Sequence, residues 1–254
     1  MIRFASLGSG SQGNGLLVTA GSTTVMVDCG FGLRDCTQRL ARLGLAPDAL
    51  DAILVTHEHG DHIDGVAKFA GRHAIPVWLT HGTSRYLGDR DGLTVNHIEG
   101  YQRFAIGDLE IAPFPVPHDA AEPSQFVLGD GARRIGVLTD AGSVTPHMVE
   151  MLTGCEALFL ECNHDEDRLR GSDYPPSLID RVAGHYGHLS NTAAAELLRR
   201  VAHPRLQHVV AAHLSQQNNE PALARGALAG ALACADDWIA VADQANGLDW
   251  RDVA

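Results

Sequence analysis

The sequence is poor in cysteine and contains no long apolar run. Its five cysteines are scattered and form no CxxC pair, which argues against a disulfide framework and against a thiolate zinc site. No apolar stretch approaches the roughly 20 residues that a membrane-spanning helix needs. The first residues, Met1 to Ser6, lack the shape of a signal peptide. We therefore expect a cytoplasmic protein with reduced thiols and no membrane segment.

Basic residues are also scarce, and Lys68 is the only lysine. The 31 acidic residues outnumber the 19 basic ones, so the formal net charge is −12. A protein that holds nucleic acid by bulk electrostatics is normally basic, so this balance disfavours a polyanion as a general partner. Bound divalent cations would nevertheless make a site locally positive. A polyanionic substrate therefore remains allowed at such a site, where arginines such as Arg168 and Arg170 could bind phosphate.

Short strand-like stretches and helical stretches alternate along the 254 residues, as in an α/β protein. Apolar residues make up 45% of the chain, which is ordinary for a globular protein and argues against disorder. We see no linker or repeat at the level of residues, so we predict a single domain over residues 1–254. The halves share a rhythm of a strand followed by a polar group, which hints at two sheets back to back with helices outside.

Several predicted strands end on a histidine or a carboxylate. The predicted strands cover residues 2–7, 15–20, 23–28, 52–56, 75–79, 109–118, 124–128, 134–140, 155–161 and 207–213. Helices are predicted near residues 33–45 and 65–70. Another is capped by Ser190 or Asn191 and runs through Val201, and a last one begins at Pro221.

One segment, residues 57–62, holds three histidines and an aspartate directly after an apolar strand. On an extended chain His57 and His59 point the same way and Glu58 points opposite. After the turn at Gly60, Asp61 and His62 can serve a second ion. The alternative is a histidine-rich surface loop. The density of the motif at a strand end favours a two-metal hydrolytic site.

Four side chains so close together cannot complete two coordination shells, so further ligands must lie far along the chain. His118, Asp140 and His213 each end a predicted strand. Taken singly, a histidine here is more simply a hydrogen-bonded structural residue and Asp140 a turn former or helix cap. Strand ends converge on one edge of a sheet, so together with the cluster they are expected to ligate. The set then comprises five histidines and two aspartates.

The ordered pattern HxHxDH, His, Asp, His resembles that of the metallo-β-lactamase superfamily, over residues 1 to about 215. The resemblance implies an αββα sandwich: two mixed β-sheets packed face to face, with helices on the outside. It also implies two divalent metal ions, a metal-bridging hydroxide as nucleophile, and a catalytic part for Asp61. It implies these ligand sets: His57, His59 and His118 for one ion, Asp61, His62 and His213 for the other, Asp140 bridging both, and Asp28 supporting the site from behind.

Further stretches are similar to the YycJ/WalJ family of exonuclease-like enzymes, which act on DNA in the 5′-to-3′ direction. They are residues 6–14, 159–165, 187–191 and 213–219. Alone, the glycine-serine stretch 6–14 would suggest only a tight hairpin, because it lacks P-loop spacing. The combination implies a phosphodiesterase acting on DNA.

Two residues in these stretches point to the phosphodiester, His188 and Glu161. His188 precedes the last ligand at a distance typical of a related nuclease group, named β-CASP, where such a histidine can donate to a phosphate oxygen. Its alternative is a helix-entry histidine that bonds Ser190 or a backbone carbonyl. Glu161 resembles the strand-end acid of those nucleases; its alternative is a solvent-facing or ion-paired carboxylate. Possible substrate-binding residues nearby are Asn163, His164, Arg168 and Arg170.

The chain departs from those nucleases because it has no room for an inserted β-CASP domain between Asp140 and His188. DNA would then bind on an open face, or the substrate would be a smaller phosphodiester. A second hypothesis is therefore a small-molecule hydrolase, either a cyclic or nucleotide phosphodiesterase or a lactonase or thioesterase. The all-His/Asp ligand set suits Zn²⁺ best, with Mn²⁺ or Fe²⁺ as alternatives. No obligate protein partner is evident.

Overall fold

The computed structural model describes residues 1–88 and 91–254, and in that part of the chain the strands form two seven-stranded sheets. In sheet 1 the first four strands in spatial order pair antiparallel and the rest pair parallel. Its spatial order is β14 (Leu248–Val253), β1 (Ile2–Gly8), β2 (Gly15–Ala20), β3 (Thr23–Val27), β4 (Ala52–Leu54), β5 (Val77–Leu79) and β6 (Val95–His97).

Sheet 2 repeats the same mixture of antiparallel and parallel pairs. Its spatial order is β13 (Ala240–Val241), β12 (His208–Ala212), β11 (Ala157–Glu161), β10 (Arg134–Leu138), β9 (Ser124–Gly129), β8 (Leu109–Pro115) and β7 (Phe104–Ile106). Both sheets are therefore mixed, as predicted.

The described residues also form helices, some on the outer faces of the two sheets and others in the loops that connect strands. They are α1 (Leu33–Arg42), α2 (Gly60–Ile63), α3 (Val66–His73), α4 (His81–Ser84), α5 (Pro146–Leu152), α6 (Glu166–Arg170), α7 (Pro176–Val182), α8 (Asn191–Val201) and α9 (Pro221–Leu232), with 3-10 turns at Pro47–Ala49 and Asp236–Trp238. No helix of the described residues is long and apolar enough to cross a membrane.

Three buried clusters separate the layers. Alternation along β3 shows why: Val25 and Val27 enter the cluster between the two sheets, while Met26 faces the other way. On that outer face Met26 joins Leu40 of α1 and Phe69 of α3. The outer face of sheet 2 packs in the same way against α5, α8 and α9. This layering confirms the predicted αββα sandwich.

The loops that carry the predicted site follow β4 in sheet 1 and β8, β10 and β12 in sheet 2, whose carboxyl ends meet at one edge of the sandwich. Between Asp140 and His188 the chain forms α5, β11, α6 and α7. The single-domain assignment stays a prediction. Ser190 is the cap of α8, since its Oγ accepts a hydrogen bond from the backbone N–H of Ala193 at 3.2 Å.

Candidate metal centre

All seven predicted ligands converge at one edge of the sandwich. His57, His59, Asp61 and His62 follow β4, and the rest follow strands of sheet 2, His118 after β8, Asp140 after β10 and His213 after β12. They form overlapping groups in which one ligand atom from each residue lies within 4.8 Å of the others. Residues that are up to 156 positions apart in the sequence are thus brought into ligating range of shared points.

One group consists of three histidines. The Nδ1 atom of His59 lies 3.0 Å from Nε2 of His57 and 3.2 Å from Nε2 of His118. These are the three residues expected to share the first ion. The three rings are nearly perpendicular to one another. Three ring nitrogens at this spacing are better placed to bind one tetrahedral cation than to hydrogen-bond with one another.

The second group combines a carboxylate with two histidines. Oδ2 of Asp61 lies 3.2 Å from Nε2 of His213 and 3.4 Å from Nε2 of His62. Asp140 sits between the two groups, because its Oδ2 is 3.1 Å from Nε2 of His62 and its Oδ1 is 3.9 Å from Nε2 of His118. This is the place expected for a bridging ligand.

The site fits divalent cations. Asp140 is 1% exposed, and its buried Oδ2 makes no well-aligned hydrogen bond among the described residues, although Nε2 of His62 lies 3.1 Å away. A buried carboxylate oxygen is costly without a partner, and a cation would supply one. The nitrogen and oxygen donors around it, with no thiolate, are those of Zn²⁺, Mn²⁺ or Fe²⁺ sites.

Asp28, the residue that the resemblance implied as the support of the site, contacts the predicted ligand His62. Its Oδ2 lies 2.7 Å from Nδ1 of His62, and its Oδ1 accepts the backbone N–H of Thr56 at 2.8 Å. The Thr56 hydroxyl donates to Asp28 Oδ2 at 2.8 Å. Because Nδ1 of His62 faces this carboxylate, Nε2 is the nitrogen that faces Asp61 and Asp140.

The other ring orientations are fixed in a similar way. Nδ1 of His57 lies 2.9 Å from the hydroxyl of Thr56, and Nδ1 of His118 lies 2.9 Å from the carbonyl oxygen of Gly187. Both rings therefore turn Nε2 towards the centre. His59 is reversed: its Nδ1 faces the centre, and its Nε2 lies 3.8 Å from Asp119.

The electrostatics of the metal-free site show where cations belong. Burial opposes charge on His62 and His213, but Asp140, Asp61 and the other neighbouring carboxylates together outweigh it and raise the pKa of both rings. Burial also opposes ionisation of Asp61, yet the neighbouring His62 and His213 lower its pKa. Protons thus compensate the carboxylates when no cation is bound. Divalent cations would take over that compensation and displace those protons.

His188 and Glu161 lie beside this centre and contact each other. Nδ1 of His188 is 2.8 Å from Oε1 of Glu161 and 3.2 Å from Oδ1 of Asp140. Burial opposes its charge, but Glu161 and Asp140 raise the pKa of His188 to about 9. The His188 side chain is 22% exposed. His188 is therefore paired with Glu161. The alternative considered from the sequence was a bond from His188 to Ser190 or to a backbone carbonyl.

Glu161 is fully buried at the end of β11. Its Oε2 accepts the backbone N–H groups of Ala141 at 2.9 Å and Leu189 at 3.1 Å, and its Oε1 faces both His188 and His213. The solvent-facing alternative is thus excluded for this carboxylate. Because Glu161 is sealed from solvent, it can orient the two rings but cannot touch a substrate.

The possible substrate-binding residues separate in space. His164, Arg170 and His188 line one cavity of about 270 Å³ between α6, α7 and α8. Arg168 pairs with Glu220 instead. Asn163 is 5% exposed, and its side-chain amide donates to the carbonyl oxygen of His213 at 3.1 Å. We expected Asn163 to contact the substrate. Its position does not fit that expectation, because the side-chain amide is hydrogen-bonded to the residue that follows β12.

Sequence reasoning assigned no role to Asn14, which closes one side of the centre. Its amide nitrogen donates to Oδ2 of Asp61 at 3.2 Å and lies 3.1 Å from Nε2 of His62. Ser9 acts nearby, since its Oγ accepts the backbone N–H of His213 at 2.9 Å. Both residues belong to the glycine-serine stretch 6–14. The sequence analysis therefore singled out the right stretch, but it did not predict that these residues contact ligands.

Comparison with known proteins gives matches over most of the chain. Residues 23–213 match the Beta-lactamase superfamily domain. The chain is 33% identical over 240 residues to Exodeoxyribonuclease WalJ of Streptococcus pneumoniae serotype 2, covering 92% of this chain and 89% of that protein. It is 33% identical over 232 residues to Exodeoxyribonuclease YycJ of Bacillus anthracis, covering 88% and 86%.

A solved structure shares the fold. The metallo-β-lactamase fold protein YhfI from Bacillus subtilis superposes with a TM-score of 0.76 at 15% identity, covering 98% of each chain. At that identity the likeness concerns the fold alone.

Proposed function

The chain belongs to the metallo-β-lactamase superfamily and is a metal-dependent hydrolase, and we propose that it cleaves phosphodiester bonds of DNA as a 5′-to-3′ exonuclease. The observation that carries this proposal is the 33% identity to exodeoxyribonucleases over 92% of the chain in one case and 88% in the other. The expected place of action is the cytoplasm.

The chain offers donors for two divalent cations. His57, His59 and His118 would hold one, Asp61, His62 and His213 the other, and Asp140 would touch both. When bound, such a pair activates a water as the nucleophile and neutralises charge on the phosphate. The protein fixes the positions of these donors through Asp28, Thr56 and Asn14.

His188 is the residue of this site that suits a phosphodiester. Its Nδ1 is held by Glu161, so Nε2 is the ring nitrogen left for a substrate. A protonated His188 donates from Nε2 to a non-bridging phosphate oxygen, where negative charge grows in the transition state. Glu161 positions this ring and keeps the direction of its Nε2–H fixed, without contacting the substrate.

The cavity beside His188 would take the part of the substrate next to the scissile phosphate. Arg170 lines it and forms ion pairs with Glu166 at 3.0 Å and Asp167 at 2.9 Å. A phosphate entering the cavity would compete with these carboxylates for the guanidinium group. His164, also on the cavity wall, is the other substrate-binding candidate; Arg168 lies outside that lining.

The test offers purified protein with Mn²⁺ or Zn²⁺ three substrates in parallel: 5′-labelled DNA, bis(p-nitrophenyl) phosphate and a lactone panel. Progressive release of nucleotides from the 5′ end supports the proposal. Turnover of lactones or thioesters with inert phosphodiesters would overturn it.

The role of His188 has its own test. His188→Ala should lower phosphodiester turnover by about 100-fold or more, because general acid and hydrogen-bond stabilisation contribute factors of this order. Its metal content, measured by elemental analysis, should stay at the wild-type value. Loss of an ion from the folded variant would show that His188 serves the metal centre itself.

One observation favours a smaller substrate. The net charge of −12 repels a long polyanion away from the metal centre. If the protein hydrolyses bis(p-nitrophenyl) phosphate or a cyclic nucleotide and leaves DNA intact, the smaller phosphodiester is its substrate.

A further inference from the structure

Three exposed tyrosines lie in segments that border the loops of the candidate metal centre. Tyr86 is 60% exposed, Tyr101 74% and Tyr186 64%. Tyr86 follows β5 and α4, Tyr101 follows β6, and Tyr186 lies two residues before His188. Because β5 and β6 are parallel to β4, their ends lie at the edge of sheet 1 from which the His57 segment extends. Trp238, 40% exposed, lies instead just before the start of β13, at the opposite edge.

The backbone of Tyr186 is fixed against two ligand loops. Its carbonyl oxygen accepts the N–H of Asp119 at 2.9 Å, and the next residue, Gly187, presents its carbonyl oxygen to Nδ1 of His118 at 2.9 Å. A Cβ placed on Gly142 would lie 2.4 Å from the backbone of Gly187, so the Asp140 loop packs tightly from the other side. The backbone of the exposed Tyr186 is therefore fixed beside the candidate metal centre.

Tyr86 lies across the same loop. The backbone N–H of Gly82 in α4 donates to the Glu122 carboxylate at 2.6 Å, and the N–H of Tyr86 donates to the carbonyl oxygen of Thr83 at 3.0 Å. Residues 119–122, which follow His118, are thus held between the backbone that bears Tyr186 and the helix that precedes Tyr86. The backbones of both tyrosines are therefore linked to the loop that follows one predicted ligand.

The charges at this edge leave little for a phosphate backbone to bind. Arg181 pairs with Asp119 at 2.6 Å, Arg170 pairs with Glu166 and Asp167, and Arg168 pairs with Glu220. These three arginines are thus compensated by carboxylates. A polyanion must obtain affinity here from the metal centre and from contacts that are not ionic, and an aromatic face provides such a contact with any base.

We propose that Tyr186 and Tyr86 are stacking platforms for two unpaired bases of the DNA strand being hydrolysed, so that the protein takes a single-stranded 5′ end. The inference rests on the proposed function. The terminal base pair of a duplex offers one free face to a ring, but a second ring can stack on the next base only when the two bases have separated, so a duplex must open at its end before both platforms are filled.

The test measures kcat and KM with Mn²⁺ on a 5′-phosphorylated single-stranded oligonucleotide and on its twin with abasic sites at the first positions of the 5′ end. Stacking of one base contributes enough to the binding free energy that its loss in Tyr186→Ala should raise KM about 5- to 100-fold. Tyr86→Ala should change KM in the same direction. Tyr186→Phe keeps the ring and should stay within about twofold of the wild type. Trp238→Ala, the matched exposed aromatic at the other edge, should not change KM.

The abasic twin separates stacking from a general effect of the substitution. Wild-type protein should bind it as weakly as the alanine variants bind the normal strand, and the alanine variants should not distinguish the two strands. Equal losses on both strands would overturn the inference, as would unchanged KM in both alanine variants. If wild-type protein cleaves neither strand, the proposed function fails first.

Salt dependence provides a second readout. Binding through many phosphate contacts gives a steep loss of affinity with salt, while stacking gives a shallow one. We expect a log–log slope of about −2 or shallower for the wild type. A slope steeper than about −5 would show that phosphate contacts carry the binding and would contradict the inference.

Discussion

Replacing Asp28 by asparagine should weaken metal binding without unfolding the protein. Asp28 is 1% exposed and accepts hydrogen bonds from the Thr56 backbone and hydroxyl while facing Nδ1 of His62 at 2.7 Å. The backbone of Asp28 has φ of 61°. Asparagine adopts this left-handed region as readily as aspartate, so the substitution tests the carboxylate and leaves the backbone unstrained.

The carboxylate is needed because both of its oxygens accept. In Asp28→Asn one of them becomes an NH₂ group, which must face either the N–H of Thr56 or Nδ1 of His62. In the second case the neutral ring keeps its proton on Nε2, the atom that faces Asp61 and Asp140. Loss of such a supporting contact lowers metal affinity by about 10- to 100-fold, or about 1.4 to 2.7 kcal/mol.

The assay titrates metal-free protein with Zn²⁺ against a chromophoric chelator. The loss should fall mainly on the ion held by Asp61, His62 and His213. Asp51→Asn is the matched control, since Asp51 accepts a backbone N–H from Thr24 at 2.8 Å at the entrance to β4 and contacts no ligand. Wild-type affinity at both ions in folded Asp28→Asn would refute the supporting role.

Three further outcomes are expected. Gly30→Ala should lose metal, because the new Cβ would lie 1.9 Å from the carbonyl oxygen of Asp61, whereas Gly32→Ala, with open space around it, should keep the wild-type content by elemental analysis. In chelator-treated protein the raised pKa of His188 contributes stability that is complete below about pH 6.5 and is lost as pH rises through about 9, so Tm from calorimetry should fall across that window; a constant Tm would contradict this. A thiol reagent at neutral pH should modify only Cys234, the half-buried cysteine. Modification of more than one cysteine per chain before denaturation would contradict the burial of the other four.

The convergence of the seven candidate ligands could be predicted from the sequence because they lie at or shortly after the ends of apolar strands. His118, Asp140 and His213 could be recognised as candidates only from their position at strand ends, because the fold brings those strand ends together. The one-turn helix α2 was not predicted, since four residues that begin with Gly60 carry no helical periodicity. Strand β14 was also missed: three charged residues in Leu248–Val253 mask its alternation, and it gains its order by pairing with β1 at the edge of sheet 1.

Contacts made by backbone groups were beyond sequence reasoning. The support of His118 comes from the carbonyl oxygen of Gly187, and any residue could provide that group. Ion pairs are similar, because Arg168 and Arg170 are neighbours on α6 yet take different partners, Glu220 for one and Glu166 with Asp167 for the other. Such choices depend on which distant element packs nearby, and that is decided only in the folded chain.

The structure also decides which residue can separate metal binding from substrate chemistry. Glu161 Oε1 faces Nδ1 of His188 at 2.8 Å and Nδ1 of His213 at 3.5 Å, so it supports a substrate-facing ring and a ligand ring at once. Any substitution of Glu161 would therefore disturb both functions, and its effect on turnover would not reveal which one mattered. His188 contacts Asp140 and Glu161, and its ring also packs against the rings of His118 and His213 at centroid distances of 5.3 and 5.4 Å. Asp140 and Glu161 keep backbone or histidine partners when His188 is removed. If the metal content of the folded His188→Ala variant is unchanged, its loss of turnover can be attributed to the proposed contact with the phosphate.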